Sequence, residues 1–141
     1  MSDLLVIDAS VWVAAFDPSE VDHAASVAFL REVEGSGTAL VVPAFGIVEM
    51  GCAIARRTGS RAMAEQAIRI MVSNTRLSVA PIHDEMLTLA LDIGIGRRLR
   101  GADAVHAAAA AHIGGQLITW DRELLERADA LTPAAWSDDQ T

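Results

Sequence analysis

Short, wholly apolar runs alternate with longer amphipathic stretches along this chain, and that alternation narrows the fold more than any other feature. Leu4-Leu5-Val6-Ile7 has no polar face, as expected of a strand covered on both sides. Similar runs recur at Ala39-Leu40-Val41-Val42, ended by Pro43, at 77–82 and at 116–119. Helical patterns lie between them. A short helix is predicted over 9–16, and a second over 20–34 with Val21, Ala24, Ala25, Ala28 and Phe29 on one face. A helix over 44–57 is stopped by Gly59, and Ser60 caps the next, over 61–74. Over 85–98, apolar residues recur at Leu87, Ala90, Leu91, Gly94 and Ile95, the amphipathic helical spacing. An Ala-rich helix follows over 103–113, ended by Gly114-Gly115, then a short helix over 122–127 and a fifth, edge strand over 130–132.

Strands separated by helices require right-handed crossovers. The expected fold is therefore α/β: a three-layer sandwich with a central parallel sheet of four to five strands flanked by helices. Residues 1–136 read as one domain and 137–141 as a frayed tail. Ligands of such folds bind beyond the carboxyl ends of the strands, so the residues just after each strand are examined first.

The 11 basic residues are all Arg. Without Lys there is no P-loop NTPase, and pyridoxal, Schiff-base, kinase and phosphorelay receiver chemistry lose a residue they rely on. The net charge of −8 argues at first against nucleic acid, which usually leaves a basic footprint. The charge is uneven, however. Residues 1–50 hold eight acids and one Arg, 51–100 hold four acids and eight Arg, and 101–141 hold seven acids and two Arg. The middle of the chain is basic. Aromatics are only 4%, too few for base-stacking platforms. A single cysteine, Cys52, rules out an internal disulfide and suits the cytoplasm. Met1-Ser2-Asp3 lacks a basic leader, and no apolar run is long enough to cross a membrane, so neither a signal peptide nor a membrane partner is expected.

Acids occupy the positions that the fold marks out. Asp8 directly follows the first strand, Asp121 closely follows the fourth, and Asp103 begins the Ala-rich helix. Each also suits a helix N-cap. Glu49 is harder to explain by local structure. Phe45, Val48, Cys52 and Ala53 surround it at helical spacing, which puts a carboxylate on or beside an apolar stripe. Such a charge needs an Arg partner or a cation. Three acids at helix starts and one on a helix flank can converge on one sheet edge in such a fold, where they repel each other unless a divalent ion is held there. All-oxygen ligation suits Mg2+ or Mn2+ rather than Zn2+, and a carboxylate-held ion that keeps several waters suits phosphodiester hydrolysis.

These residues carry a family resemblance. Val6-Ile7-Asp8-Ala9-Ser10, Glu49 some forty residues later, Gly101-Ala102-Asp103-Ala104-Val105-His106-Ala107 and Thr119-Trp120-Asp121-Arg122-Glu123-Leu124 resemble the motifs of PIN-domain nucleases, and more narrowly of VapC-type toxins. The resemblance covers nearly the whole chain. It implies that Asp8, Glu49, Asp103 and Asp121 are the catalytic and metal-holding acids of an Mg2+- or Mn2+-dependent endoribonuclease, with Ser10 and Thr119 orienting them. In that scheme Asp8, Glu49 and Asp103 hold one ion, and Asp121 positions a second ion or the attacking water. The resemblance also implies RNA as substrate, a VapB-like antitoxin as partner, and a homodimer. Leu124 departs from it, standing where an aromatic is common.

Other residues have plainer expectations. Arg97, Arg98 and Arg100 precede Asp103; they complement a helix C-terminus or grip RNA phosphate. Arg56, Arg57 and Arg61 read as solvated helix ends. His106, three residues after Asp103, reads as a packed structural histidine, with a contact to the site as the alternative; His23, His83 and His112 lack ligand-like spacing. Cys52 reads as a small core residue. Trp12, Trp120 and Trp136 read as packing residues, with Trp120 pointing away from Thr119 and Asp121. Met50, Met63 and Met71 read as either core or an apolar dimer face. Three competing functions are a PIN nuclease of RNA maturation, a non-catalytic α/β scaffold whose acids cap helices, and a phosphatase-like domain using Asp8 as nucleophile. The last is opposed by the missing Lys and by Ser10 where a second Asp is needed.

Overall fold

Residues 4–140 are described by the computed structural model. The strands are β1 (Leu4–Ile7), β2 (Ala39–Pro43), β3 (Leu77–Ala80) and β4 (Gln116–Ile118). The helices are α1 (Ala9–Phe16), α2 (His23–Ser36), α3 (Ala44–Thr58), α4 (Arg61–Val72), α5 (Asp84–Arg97), α6 (Gly101–Ile113), α7 (Arg122–Arg127) and α8 (Pro133–Asp139). The strands form one parallel sheet in the order β3-β2-β1-β4. The register sets Leu4 beside Ala39 and Ile7 beside Ile118.

Alternation along the central strands divides the core into two layers. Leu5 and Ile7 of β1 and Leu40 and Val42 of β2 point into one layer, with Phe29 of α2, Met50 of α3, Met71 of α4 and Trp136 of α8. Val6 and Val41 point into the other, against Met86 of α5, the alanines of α6 and Leu124 of α7. Both faces of the sheet are covered, so the apolar runs need no polar side. Leu124 is fully buried, and an aliphatic side chain fills that position.

The chain runs outward from β1 to β2 to β3, then returns to place β4 on the other side of β1. The order reverses between β1 and β4, and the carboxyl end of that crevice is where parallel α/β folds bind ligands. Asp8 and Thr119 stand there, tied by the Asp8 N–H donating to the Ile118 carbonyl at 2.9 Å. The α6 helix reaches this edge because its inner face is alanine. Ala104, Ala107, Ala108, Ala109 and Ala110 are buried, and a Cβ on Gly94 of α5 would lie 2.9 Å from that of Ala104. Small side chains let α6 lie close to sheet and neighbour, at no loss of helix propensity for the alanines.

Several expectations are corrected. The fifth strand is a single bridge between Ile118 and Leu131. Beyond it Pro133, a good first helical residue, starts α8, with the Thr132 hydroxyl accepting from the Ala135 N–H. Ser137, expected in a frayed tail, instead continues α8 and donates to Glu32; Thr141 lies outside the described residues. The buried face of α2 is Ser26, Phe29 and Val33, and Val21 is 92% exposed. The buried residues of α5 are Met86 and Ala90, so the stripe of Leu87, Leu91 and Ile95 faces outward. Cys52 is exposed, not core. Met50 and Met71 are fully buried, whereas Met63 is half exposed. No described helix is long and apolar enough to cross a membrane.

Candidate metal centre

Asp8 takes the N-cap position of α1 but does not cap it; its carboxylate is used otherwise. The hydroxyls of Ser10 and Thr119 both donate to Asp8 Oδ2, each at 2.8 Å. Those hydroxyls are themselves fixed. Ser10 Oγ accepts the Trp120 N–H at 3.0 Å, and Thr119 Oγ1 accepts the Asp121 N–H at 2.9 Å. The two hydroxyls also lie 3.3 Å from each other. Asp8 Oδ2 is saturated and the carboxylate plane is set, which leaves Oδ1 to face the other acids. Trp120 points away as expected, its indole N–H donating to Ser26 Oγ at 2.8 Å.

Glu49 projects from α3 toward Asp8. The reason differs from the sequence reading: Phe45, Val48 and Cys52 are exposed, and the buried face of α3 is Gly46, Met50 and Ile54. Glu49 lies at the border of that face, its side chain 27% exposed, with Oε1 fully buried and without a hydrogen-bond partner. Burial first, then the Asp8 and Asp103 carboxylates, push its carboxyl above the ordinary range, against an opposing pull from His106.

The third group beside Asp8 and Glu49 is His106, not Asp103. One ligand atom from each of Asp8, Glu49 and His106 lies within 4.8 Å of the other two. His106 is fully buried in α6, with Nε2 3.4 Å from Glu49 Oε1 and 3.6 Å from Asp8 Oδ1. The i+3 spacing from Asp103 was the sequence signal for its place here.

Asp103 and Asp121 stand beside this trio and are joined by Arg100. Asp103 lies in the first turn of α6, which begins at Gly101 with Arg100 as N-cap, so Asp103 is not itself the cap. Asp121 does cap α7, its Oδ1 accepting the Leu124 N–H at 3.1 Å. Arg100 donates from Nε to Asp103 Oδ2 at 3.1 Å and from a terminal nitrogen to Asp121 Oδ2 at 2.8 Å, with Glu123 3.7 Å away. Burial, followed by Asp121, raises the Asp103 carboxyl, while Arg100 opposes the rise. Glu123 and Gly46 escaped the sequence reading. Glu123 is two residues from Asp121, and Gly46 stands one turn before Glu49, so spacing alone marked both.

Arg97 and Arg98 do not reach the acids. Arg97 pairs with Asp129 at 3.7 Å, and the Arg98 carbonyl accepts from Arg127. A cleft of about 300 Å3 leads away from Glu49 between Ser10, Ala53, Arg57 and Trp120. Arg57 at its mouth is paired with Asp17 and Glu20.

The PIN domain family model matches residues 5–131. The chain belongs to the PIN-domain family. No curated protein matches it in sequence. Solved structures that share this fold include these three. VapC20 of Mycobacterium tuberculosis, described as a sarcin-ricin loop cleaving toxin, has a TM-score of 0.74 at 18% identity over 86% of this chain and 93% of its own. VapBC2 of Rickettsia felis, bound to a DNA fragment from its promoter, has a TM-score of 0.71 at 9% identity over 92% and 96%. A toxin–antitoxin complex from Klebsiella pneumoniae has a TM-score of 0.68 at 13% identity over 92% and 97%. At these identities the likeness is one of fold.

The donors of this PIN domain fit a divalent cation. Within the site two buried polar atoms, Glu49 Oε1 and His106 Nε2, lack any hydrogen-bond partner, and both face Asp8. Buried groups of this kind are normally satisfied. A cation satisfies both atoms and offsets the repulsion between the two carboxylates.

Proposed function

We propose that this PIN domain is a divalent-metal-dependent endoribonuclease and the toxin of a toxin–antitoxin pair. The observation that carries the reading is the convergence of Asp8 and Glu49, with Asp103 and Asp121 close by, at the switch point of the sheet. The described activity of VapC20 supports RNA as the substrate.

Asp8 and Glu49 would hold Mg2+ or Mn2+, and Asp103, which stands beside them, would join directly or through water. When bound, the ion supplies Lewis acidity toward the scissile phosphate. Ser10 and Thr119 keep the Asp8 carboxylate in one orientation, so no reorganisation is needed during reaction. Asp121, whose Oδ2 accepts from Arg100, would help position a second ion or the attacking water. Arg97 and Arg98, exposed beside α6, meet RNA phosphates and supply the basic footprint that the net charge conceals.

The antitoxin is a short protein that covers the site with a basic side chain, as Arg100 already pairs with Asp103 and Asp121. Exposed apolar surface supports a protein partner: an apolar cleft of about 520 Å3 lies between α3 and α4, lined by Ile47, Val48, Ala64 and Ile68. The outward stripe of Leu87, Leu91 and Ile95 supports a homodimer better than the methionines do. Action on RNA fits the cytoplasm.

The deciding experiment is cleavage-site mapping on total RNA with purified wild type and Asp8→Asn, with and without chelator. Wild type plus Mg2+ or Mn2+ is expected to cut at defined positions, and chelated protein and Asp8→Asn to leave RNA intact. Undiminished cutting by folded Asp8→Asn ends the nuclease reading. Growth arrest on expression, absent with Asp8→Asn, is the expected sign of a toxin.

A further inference from the structure

Of the buried side-chain atoms that lack a hydrogen-bond partner, Trp12 Nε1 lies elsewhere in the core, and the two in this site are Glu49 Oε1, an oxygen, and His106 Nε2, a nitrogen. His106 Nδ1 lies 2.9 Å from the Ala102 carbonyl, which only accepts, so Nδ1 carries a proton and donates. Nε2 is then the atom that faces Asp8 and Glu49. Nε2 stands 3.4 Å from Glu49 Oε1 and 3.6 Å from Asp8 Oδ1 and makes no hydrogen bond. Those separations are comparable with the spacing of neighbouring ligands on a small cation: with bonds of about 2.1 Å, such ligands stand roughly 3.0 Å apart around an octahedral ion and 3.4 Å around a tetrahedral one.

The neighbouring backbone is shaped for the same atom. A Cβ on Gly46 would lie 3.2 Å from His106 Nε2 and 2.8 Å from Val42, so α3 approaches the ring edge only because residue 46 has no side chain. The Nδ1–H to carbonyl bond is also the arrangement that fixes the tautomer of a ligating histidine.

We infer that His106 Nε2 is a ligand of the cation held by Asp8 and Glu49, making this a mixed nitrogen and oxygen centre. The inference rests on the metal-site reading above and deepens it. Imidazole suits ions later in the first transition row than carboxylates alone do. The centre therefore takes Mn2+ and Co2+ in preference to Mg2+, and His106 sets that preference.

The test uses the full chain loaded with Mn2+. Pulsed electron paramagnetic resonance is recorded on protein with natural histidine and with 15N-labelled histidine. Expected is coupling to a directly bound nitrogen that changes on labelling and vanishes in Asp8→Asn. The other histidines are engaged elsewhere: His23 with the Ala14 carbonyl, and His83 and His112 in ring contact. In parallel, His106→Gln is expected to lose at least about tenfold in Co2+ and Mn2+ affinity, since even outer-sphere partners of a ligand are worth about 10–100-fold, while Mg2+ affinity changes less. Mn2+ bound to wild type without nitrogen coupling, and lost in Asp8→Asn, overturns the role of His106 and leaves the carboxylate site standing. Failure of wild type to bind any divalent ion overturns both.

Discussion

Thr119 Oγ1 donates to Asp8 Oδ2 at 2.8 Å across 111 residues of sequence, inside the core and at the seam between β4 and β1. Replacing Thr119 by Val keeps the shape and removes the hydroxyl. Asp8 loses one donor and the Asp121 N–H loses its acceptor. The expected cost is about 1–3 kcal/mol of stability, read by chemical denaturation. Metal affinity is expected to fall about 10–100-fold, read by calorimetry, because the carboxylate is no longer held in one plane. Unchanged affinity in Thr119→Val removes the orienting role.

The raised Glu49 carboxyl has a definite sign in pH dependence. In the native state it keeps its proton at pH values where the unfolded chain, at an ordinary 4.5, has lost it. Stability therefore falls as pH rises above 4.5 through the raised value. In chelator, Glu49→Gln is expected to gain melting temperature relative to wild type as pH rises from about 4.5 to 7. With Mn2+ present the order reverses at pH 7, because wild type alone keeps the ligand. Parallel melting curves at all pH values contradict this.

Gly46→Ala sets two known effects against each other. Alanine gains about 1 kcal/mol of helix propensity, and overpacking against Val42 and His106 costs about 1–3 kcal/mol. The net change in stability is expected to be small, while divalent-ion affinity drops because the ring must shift. Thermal melts and metal titration on the same sample separate the two.

Arg100→Met removes the one cation between Asp103 and Asp121 and keeps the aliphatic stem. Metal-free protein is expected to lose stability, and the gain in melting temperature on adding Mn2+ to exceed that of wild type. A gain equal to that of wild type means Arg100 is a solvated side chain with no part in charge balance.

Arg97→Ala with Arg98→Ala addresses RNA binding separately. Binding of a short RNA by catalytically inactive Asp8→Asn protein is expected to weaken, with the salt slope reduced by about one for each phosphate that is no longer neutralised. An unchanged slope removes these two residues from the RNA surface.

Much of this was legible in the sequence. Asp8 and Asp121 were found because apolar runs end just before them, and a parallel sheet gathers its strand ends at one edge. Glu49 was found by a stripe that faces outward: Phe45 and Val48 are exposed, and the buried face of α3 is set by Gly46, Met50 and Ile54. Apolar residues of α5 misled for the same reason, because periodicity gives a face without saying whether it meets the core or another surface. The weight of His106 was not legible. Burial of a histidine and the absence of a partner for one of its nitrogens are properties of three dimensions, and spacing from Asp103 offered only proximity.

The return of β4 to the far side of β1 has a consequence for synthesis. Asp8 is translated more than a hundred residues before its neighbours across the seam, Ile118 and Thr119. A nascent chain halted before that point has the carboxylates of Asp8, Glu49 and Asp103 but no strand to close the seam. The seam at this edge, and the hydroxyl that holds the Asp8 carboxylate, are therefore completed only after Thr119 has been made and β4 has docked beside β1.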